Sequence, residues 1–213
     1  GNFGNVFAGF AATKMGLPVE QLIIGSNAND VLIRFIESGK MELRDVVHTI
    51  SPSMDIGISS NFERLLFELS GRDGKKVSEI MAGFGKTGSY AVDDDFMKKI
   101  SARFDGARFD DAATKKIISD VYASNKMLLD PHSAIGLGAA REKRKASKEN
   151  GAPMIVLATA HPAKFPDAVM DASGEQPELP GHLSDLLERT ERSEALESSI
   201  NVVRGYIEQT LLE

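Results

Sequence analysis

The feature that most constrains the fold is an alternation of short β-branched runs with amphipathic helical stretches. The run Gln21 to Asn27 (QLIIGSN) ends in turn residues, as strands commonly do. A helical stretch that Gly39 terminates comes next, and a second strand-like run, DVVHTISPSMD (45–55), follows it. Strands separated by helices need crossover connections. This order therefore predicts a mostly parallel sheet flanked by helices, an α/β fold.

The chain opens with GNFGNVFAGFAATKMG, a glycine-rich turn that runs into an apolar helix. Gly16 is placed to adopt the left-handed conformation that ends such a helix. The glycines of the turn allow main-chain N–H groups to approach an anion closely, and Asn2 and Asn5 add side-chain amides. The helix also directs the positive end of its dipole to this turn. Spacing alone leaves two interpretations open, a phosphate-binding turn and a plain turn.

Three later segments have clear local signals. Ser60 and Glu63 fit a capping box ahead of the apolar stripe in NFERLLFEL, and Asp130 is placed to cap the helix that follows Pro131. Small residues in SAIGLGAA give that helix a face that can lie close to a neighbour. The run 154–158 (MIVLA) is continuously apolar, which predicts a strand buried on both faces.

Composition divides the chain into three parts. Residues 71–112 are charged and interrupted by glycines, and we interpret 71–109 as a helical insertion on the surface of the sheet domain. The sheet domain comprises residues 1–70 and 110–172. Residues 173–213 carry many Glu and Arg side chains and form a helical C-terminal region.

Two motifs resemble ligand sites but are better explained without a ligand. GFGKTG (83–88) lacks the first glycine of a phosphate-binding P-loop, since Ile80 stands in that place, so we expect a flexible glycine loop. The acidic triplet 93–95 is typical of the first turn of a helix, where the helix dipole favours negative charge, and not of a magnesium site.

Charge and composition exclude several classes of protein. The net charge is −6 and the pI is about 5.3, which argues against nucleic-acid and membrane-surface partners. We expect neither a transmembrane helix nor a signal peptide. The chain has no cysteine, which fits a cytoplasmic location. No two of its histidines have the H-x-x-x-H spacing, so we expect no metal; they are His48, His132, His161 and His182.

A set of motifs then adds a family resemblance over nearly the whole chain. In order they are GNFGN, SNANDVLIRF, SPSMDI, SSNFERLLFEL, DPHSAIG and TAHPAKFP. Together they resemble the carboxy-terminal half of threonine synthase, a lyase of the fold type II group that uses pyridoxal 5′-phosphate (PLP). The resemblance is weakest over residues 71–112 and after about Ala172.

The resemblance implies a cofactor site. The cradle for the PLP phosphate would consist of Gly1, Asn2, Phe3, Gly4 and Asn5. The hydroxyl of Thr159 would be the partner of the pyridine nitrogen; the alternative is that it caps the turn before Pro162. No lysine here lies in the family's Ser-Phe-Lys-Asp context, so the Schiff-base lysine is expected upstream, in an amino-terminal half of the same protein.

Several further residues lie in family motifs near the active site without an assigned role. They are Ser53, Asp55, Asn61, Arg64, His161 and Lys164. Capping alone would explain Asn61. His132 and Ser133 would line the edge of the site, although a turn with close packing explains them equally well.

By this resemblance the complete protein would convert O-phospho-L-homoserine and water to L-threonine and phosphate, and this chain alone would be inactive. Two alternatives stay open. One is a non-catalytic anion-binding or regulatory module with the same fold. The other is a different fold type II lyase such as a dehydratase, which SPSMDI and TAHPAKF disfavour.

Overall fold

The structure is a computed structural model that describes residues 2–146 and 151–211. Strands and helices alternate along most of the chain. The helices are α1 (Gly4–Lys14), α2 (Val31–Ser38), α3 (Phe62–Leu69), α4 (Gly74–Thr87), α5 (Asp94–Ser101), α6 (Asp111–Asn125), α7 (Pro131–Ala146), α8 (Pro166–Ser173) and α9 (Ile200–Thr210). Short 3₁₀ turns lie at Pro52–Met54, Pro162–Lys164, Gly181–Leu183 and Leu186–Glu188.

The strands form two separate pairs. β1 (Leu22–Ser26) runs parallel to β4 (Phe104–Arg108), with Ile24 opposite Gly106. β2 (Lys40–Glu42) and β3 (Ser89–Ala91) form a short antiparallel pair. The parallel pair with its helices confirms the α/β prediction.

Helices cover both faces of the parallel pair. A Cβ at Gly25 would lie 3.0 Å from Ile135 Cγ2 on α7. A Cβ at Gly106 would touch Ile33 on α2 and lie 2.8 Å from the carbonyl oxygen of Ile24. Because neighbouring residues of a strand point to opposite faces, α7 and α2 lie on opposite sides of β1. Glycine at these two positions is what allows the close approach.

The main hydrophobic core is built around an aromatic cluster. The ring of Phe62 makes edge-on contacts with Phe35, at 4.7 Å between centroids, and with Phe3, at 5.0 Å. Phe3 also lies 5.9 Å from Phe104 on β4. All four rings are buried. We call these four residues the aromatic core; it joins the start of α1 to α2, α3 and the sheet.

Two strand predictions are wrong. The run 45–55 forms no strand, and neither does the 151–160 segment, which contains the MIVLA run (154–158). Ile155 is 80% exposed and Leu157 is 55% exposed, so the expected burial on both faces is also wrong. A strand needs a neighbour to pair its N–H and C=O groups, and none lies beside 154–158 among the described residues.

The proposed insertion needs a correction as well. Residues 71–109 include β4, which is half of the parallel pair, so this stretch is not a surface excursion as a whole. The prediction of a flexible glycine loop at 83–88 is also wrong, since α4 continues through Thr87 and ends at Gly88 in the left-handed conformation.

Capping gave mixed results. Asp130 accepts hydrogen bonds from the first turn of α7, and Asp93 accepts one from Phe96 N–H at 2.8 Å, so both acidic caps are confirmed. The capping box at Ser60 and Glu63 is wrong, because no side chain of the described residues caps α3.

The chain divides into two compact units, residues 1–178 and residues 179–213. The second unit contains two 3₁₀ turns and α9, whose apolar side chains Ile200, Val203 and Ile207 are exposed. Among the described residues, no helix is both long and apolar enough to span a bilayer.

Candidate functional site

The start of α1 is open toward solvent and rigidly supported. Phe3 precedes the helix in the left-handed conformation (φ 62°), and its ring is held in the aromatic core. No side chain of the described residues caps this helix. The N–H groups of its first turn have no acceptor within the helix, so they are available to an anion placed ahead of Gly4.

Asn2 is fastened beside that helix end. Its side-chain Nδ2 donates to Ser60 Oγ at 2.9 Å, and its carbonyl oxygen accepts from Asn61 Nδ2 at 2.9 Å. The side chain of Asn61 therefore holds the opening turn. It does not cap α3, which was the alternative role considered from the sequence. Gly1 lies outside the described residues.

Two buried oxygens here lack a hydrogen-bond partner among the described residues: Asn2 Oδ1 and Ser59 Oγ. Ser59 is 3% exposed. Because the Ser60 hydroxyl can donate as well as accept, a half-turn of the Asn2 amide would bring an N–H group into the unpaired position. The unpaired side-chain oxygen of Asn2, whose amide can turn to present an N–H group, lies beside a helix start without a side-chain cap, and this arrangement fits an anionic ligand.

A polar network lies at the carboxyl end of β1. Asn27 is fully buried, and its Nδ2 donates to Asp55 Oδ1 at 2.8 Å and to Ser51 Oγ at 2.9 Å. Asn29 Nδ2 donates to the same Asp55 oxygen at 2.9 Å. The hydroxyl and the N–H of Thr49 also donate to Asp55, at 2.7 and 2.9 Å. One carboxylate thus fixes the loop over the strand end.

The first turn of α7 holds two other segments. Asp130 Oδ2 accepts from His132 N–H at 2.8 Å and lies 2.9 Å from His132 Nδ1. Ser53 N–H donates to His132 Nε2 at 3.2 Å. Ser133 Oγ accepts from Thr159 N–H at 3.0 Å. His132 therefore binds the turn at 52–54, and Ser133 binds the 151–160 segment.

Burial of Asp130 raises the pKa of its carboxyl, but the hydrogen bonds from His132 and Ser133 outweigh burial and hold the pKa below its ordinary value. Asp30 shows the same balance: burial raises the pKa of its carboxyl, but the hydrogen bonds and charges of Arg34 and Arg108 outweigh burial and hold the pKa below its ordinary value. Both carboxylates are charged at neutral pH, and the two arginines at this edge of the sheet are taken up in ion pairs.

Thr159 itself is exposed, and its main chain is fixed by Ser133. The alternative that Thr159 caps the turn before Pro162 is wrong, because His161 Nδ1 accepts the Ala163 N–H at 3.2 Å. The 49–61 segment joins the parts of the site. Ser53 connects it to α7, Asp55 to the end of β1, and Ser60 and Asn61 to the opening turn.

Sequence reasoning missed Asn27, Thr49 and Ser59. The signal for Asn27 was present, since an asparagine directly after a parallel strand lies at the edge where such sheets bind ligands. Ser59 and Thr49 match no motif that indicates a ligand site, so there was no reason in the sequence to select them. Within residues 2–146 and 151–211, no three His, Cys, Asp or Glu side chains come together as metal ligands.

Comparison with known proteins gives consistent matches. The family model described as "Threonine synthase, C-terminal" matches residues 133–207. The chain is 47% identical to threonine synthase of Pseudomonas aeruginosa over 211 residues, which cover 98% of this chain and 44% of the relative. It is 37% identical to the threonine synthase of Saccharomyces cerevisiae over 233 residues, covering 99% of this chain and 45% of the relative.

Solved structures agree. The PLP-bound threonine synthase from Brucella melitensis is 49% identical and superposes with a TM-score of 0.87, covering 98% of this chain and 44% of that one. Yeast threonine synthase is 36% identical with a TM-score of 0.86, covering 100% of this chain and 46% of that one. The chain thus spans less than half the length of the relatives it matches.

The parallel strand pair, the helices on both its faces and the open helix start beside it define an α/β fragment of the fold type II class. Within that class, the chain belongs to the threonine synthase family and corresponds to a carboxy-terminal portion of those proteins.

Proposed function

We propose that this chain is part of an enzyme that converts O-phospho-L-homoserine and water to L-threonine and phosphate with PLP as cofactor. One observation carries the proposal: α1 begins without a side-chain cap, next to the buried and unpaired side-chain oxygen of Asn2, in a chain that superposes on a PLP-bound threonine synthase. The reaction class is a carbon–oxygen lyase acting on a phosphate. The proposal includes a cytoplasmic location, which the cysteine-free sequence favours.

The opening turn suits the phosphate of the cofactor. The first-turn N–H groups, Gly4 among them, and the amide of Asn2 would donate to it, and the dipole of α1 would favour its negative charge. Several such hydrogen bonds to a charged group contribute about 1.5–3 kcal/mol each. Phe3 would contribute its backbone and hold the turn through the aromatic core, with Gly1 and Asn5 completing the cradle.

Thr159 would face the ring of the cofactor. Its side chain is exposed while Ser133 fixes its main chain, so the hydroxyl is free to bond with the pyridine nitrogen. PLP, when bound, supplies stabilisation of negative charge on a substrate carbon. A neutral hydroxyl partner does not force protonation of the pyridine nitrogen, whereas a carboxylate would, so this residue moderates that stabilisation.

We propose that the enzyme also includes an amino-terminal portion, as the length of the relatives suggests. That portion would supply the lysine that binds the cofactor covalently and moves protons. It would also cover the exposed apolar side chains of the 151–160 segment, such as Ile155 and Leu157.

The test is an assay of the full-length protein with PLP and O-phospho-L-homoserine, in which phosphate and threonine are measured together. Equal amounts of both products are expected, and the 213-residue chain alone should give neither. Phosphate with α-ketobutyrate would reassign the protein to a different lyase. Binding of PLP or phosphate without turnover by the full-length protein would point to an anion-binding module.

A further inference from the structure

His132 is a buried histidine in the first turn of α7. It is 5% exposed, and its ring lies 4.7 Å from that of Phe165. Both ring nitrogens have partners: Asp130 Oδ2 is 2.9 Å from Nδ1, and Ser53 N–H donates to Nε2 at 3.2 Å.

These contacts fix the tautomer. A main-chain N–H only donates, so Nε2 must be the unprotonated acceptor. The ring proton then lies on Nδ1 and faces the Asp130 carboxylate, which also accepts the main-chain N–H of His132 at 2.8 Å. Asp130 thereby sets the one neutral form of the ring that can hold Ser53.

The neighbouring Ser133 performs a parallel task, since its hydroxyl accepts the Thr159 N–H. His132 and Ser133, which are consecutive on α7, thus each hold one segment by accepting a main-chain N–H on a side-chain atom. One segment is the turn at 52–54, whose neighbour Asp55 closes the network over β1. The other carries Thr159.

We propose that His132 is a positioning residue: in its Nδ1–H tautomer, fixed by Asp130, it presents Nε2 to Ser53 and holds the 52–54 turn in register with Thr159. This inference rests on the proposed function, since the turn and Thr159 would then flank the substrate and cofactor. The important property of His132 is the acceptor at the Nε2 position and not the ring as such.

The chain offers a matched pair of variants in the full-length protein. In His132→Asn the side-chain amide reaches only the Nδ1 position, so the bond to Ser53 is lost. In His132→Gln the longer side chain can place its carbonyl oxygen at the Nε2 position and keep that bond. Both variants remove the ring that packs on Phe165, so their difference isolates the acceptor.

Two readouts are measured on wild type and both variants. Hydrogen–deuterium exchange of the peptide spanning 51–58 should be about two- to tenfold faster in His132→Asn and close to wild type in His132→Gln. With PLP and O-phospho-L-homoserine, kcat/KM should fall about two- to tenfold in His132→Asn and recover in His132→Gln. Equal exchange and equal kcat/KM in the two variants would overturn the proposal.

A third measurement needs no variant. Histidine-selective ¹⁵N NMR of the wild-type protein at pH 7.5 should give a neutral ring with the proton on Nδ1, and a proton on Nε2 would overturn the proposal even if neither variant folds. The exchange and NMR results do not depend on turnover. Wild-type protein without threonine production would therefore reject the proposed function and leave the positioning role to these two measurements.

Discussion

The aromatic core and the 151–160 segment contain comparably apolar side chains in opposite surroundings. Phe35 and Phe62 are at most 1% exposed, whereas Ile155 is 80% exposed. The rings of the first region come from the start of α1, from α2, from α3 and from β4 and bury one another, so its burial is complete within this polypeptide. The second region pairs with no strand among the described residues, and its backbone needs such a partner. An apolar run therefore indicates that a segment is stabilised by burial. Whether the segment is buried depends on which neighbouring strands and helices are present.

The largest effect should come from comparing two isoleucines, one in the buried cluster that contains the aromatic core and one in the 151–160 segment. Ile33 is 2% exposed on α2, so Ile33→Ala should lower the free energy of unfolding by about 2–5 kcal/mol. Ile155→Ala should change it by no more than about 0.5 kcal/mol in this chain. Urea unfolding of the 213-residue chain measures both.

The same two variants, Ile33→Ala and Ile155→Ala, can be compared in the full-length protein. If an amino-terminal portion covers the 151–160 segment, Ile155→Ala should there cost about 2–5 kcal/mol, as Ile33→Ala does. An Ile155→Ala variant of full-length protein as stable as wild type would contradict the proposed covering of this segment.

A second contrast uses glycines, with a smaller expected effect. Gly106→Ala places a Cβ against Ile33 and 2.8 Å from the Ile24 carbonyl oxygen, and it should cost about 1–3 kcal/mol. A Cβ at Gly151 meets no described heavy atom within 4 Å. Gly151→Ala should therefore be neutral or stabilise by about 0.4–1 kcal/mol. A stable Gly106→Ala variant in thermal unfolding would show that the sheet is looser than described.

Gly106 also shows why β4 could not be predicted from the sequence. The charged, glycine-interrupted composition of 71–112 predicts an insertion and hides β4, yet Gly106 is required in β4 because Ile33 on α2 lies against it. The helices with strong apolar periodicity, such as α2 and α3, were predicted because their signal is local. The MIVLA strand failed for the reverse reason, since pairing is not a local property.

In the candidate site, too, some features have a local sequence signal and others do not. Asp130 was predicted as a cap from its position before Pro131, and it does cap α7. Its link through His132 to Ser53 spans 79 residues of sequence and leaves no local trace. The opening turn was found because glycines and asparagines beside a helix start have a local physical meaning.

The smallest predicted effect concerns Asp130, which caps α7 beside the two residues that bind the 52–54 turn and the 151–160 segment. The pKa of its carboxyl in the folded chain lies below its ordinary value of 3.8, so its charge contributes stability above that pH. This contribution disappears as pH falls through the lowered pKa. Asp130→Asn should cost about 1 kcal/mol at neutral pH.

The difference between wild type and Asp130→Asn should begin to shrink as the pH falls below about 4, because the carboxyl of the unfolded chain then binds a proton. It should disappear only below the lowered pKa of the folded state. Urea unfolding at several pH values between about 3 and 7 measures it. A difference that stays constant over this range would mean that the hydrogen bonds do not depend on the charge of Asp130.

The claim that most directly needs a measurement is that the start of α1 holds the phosphate of PLP. A crystal structure of the full-length protein with PLP tests it. We expect the phosphate within hydrogen-bond distance of the Gly4 N–H and the Asn2 amide, with the pyridine nitrogen against the Thr159 hydroxyl. A phosphate bound elsewhere, or a Thr159 hydroxyl beyond reach of the same PLP molecule, would contradict it.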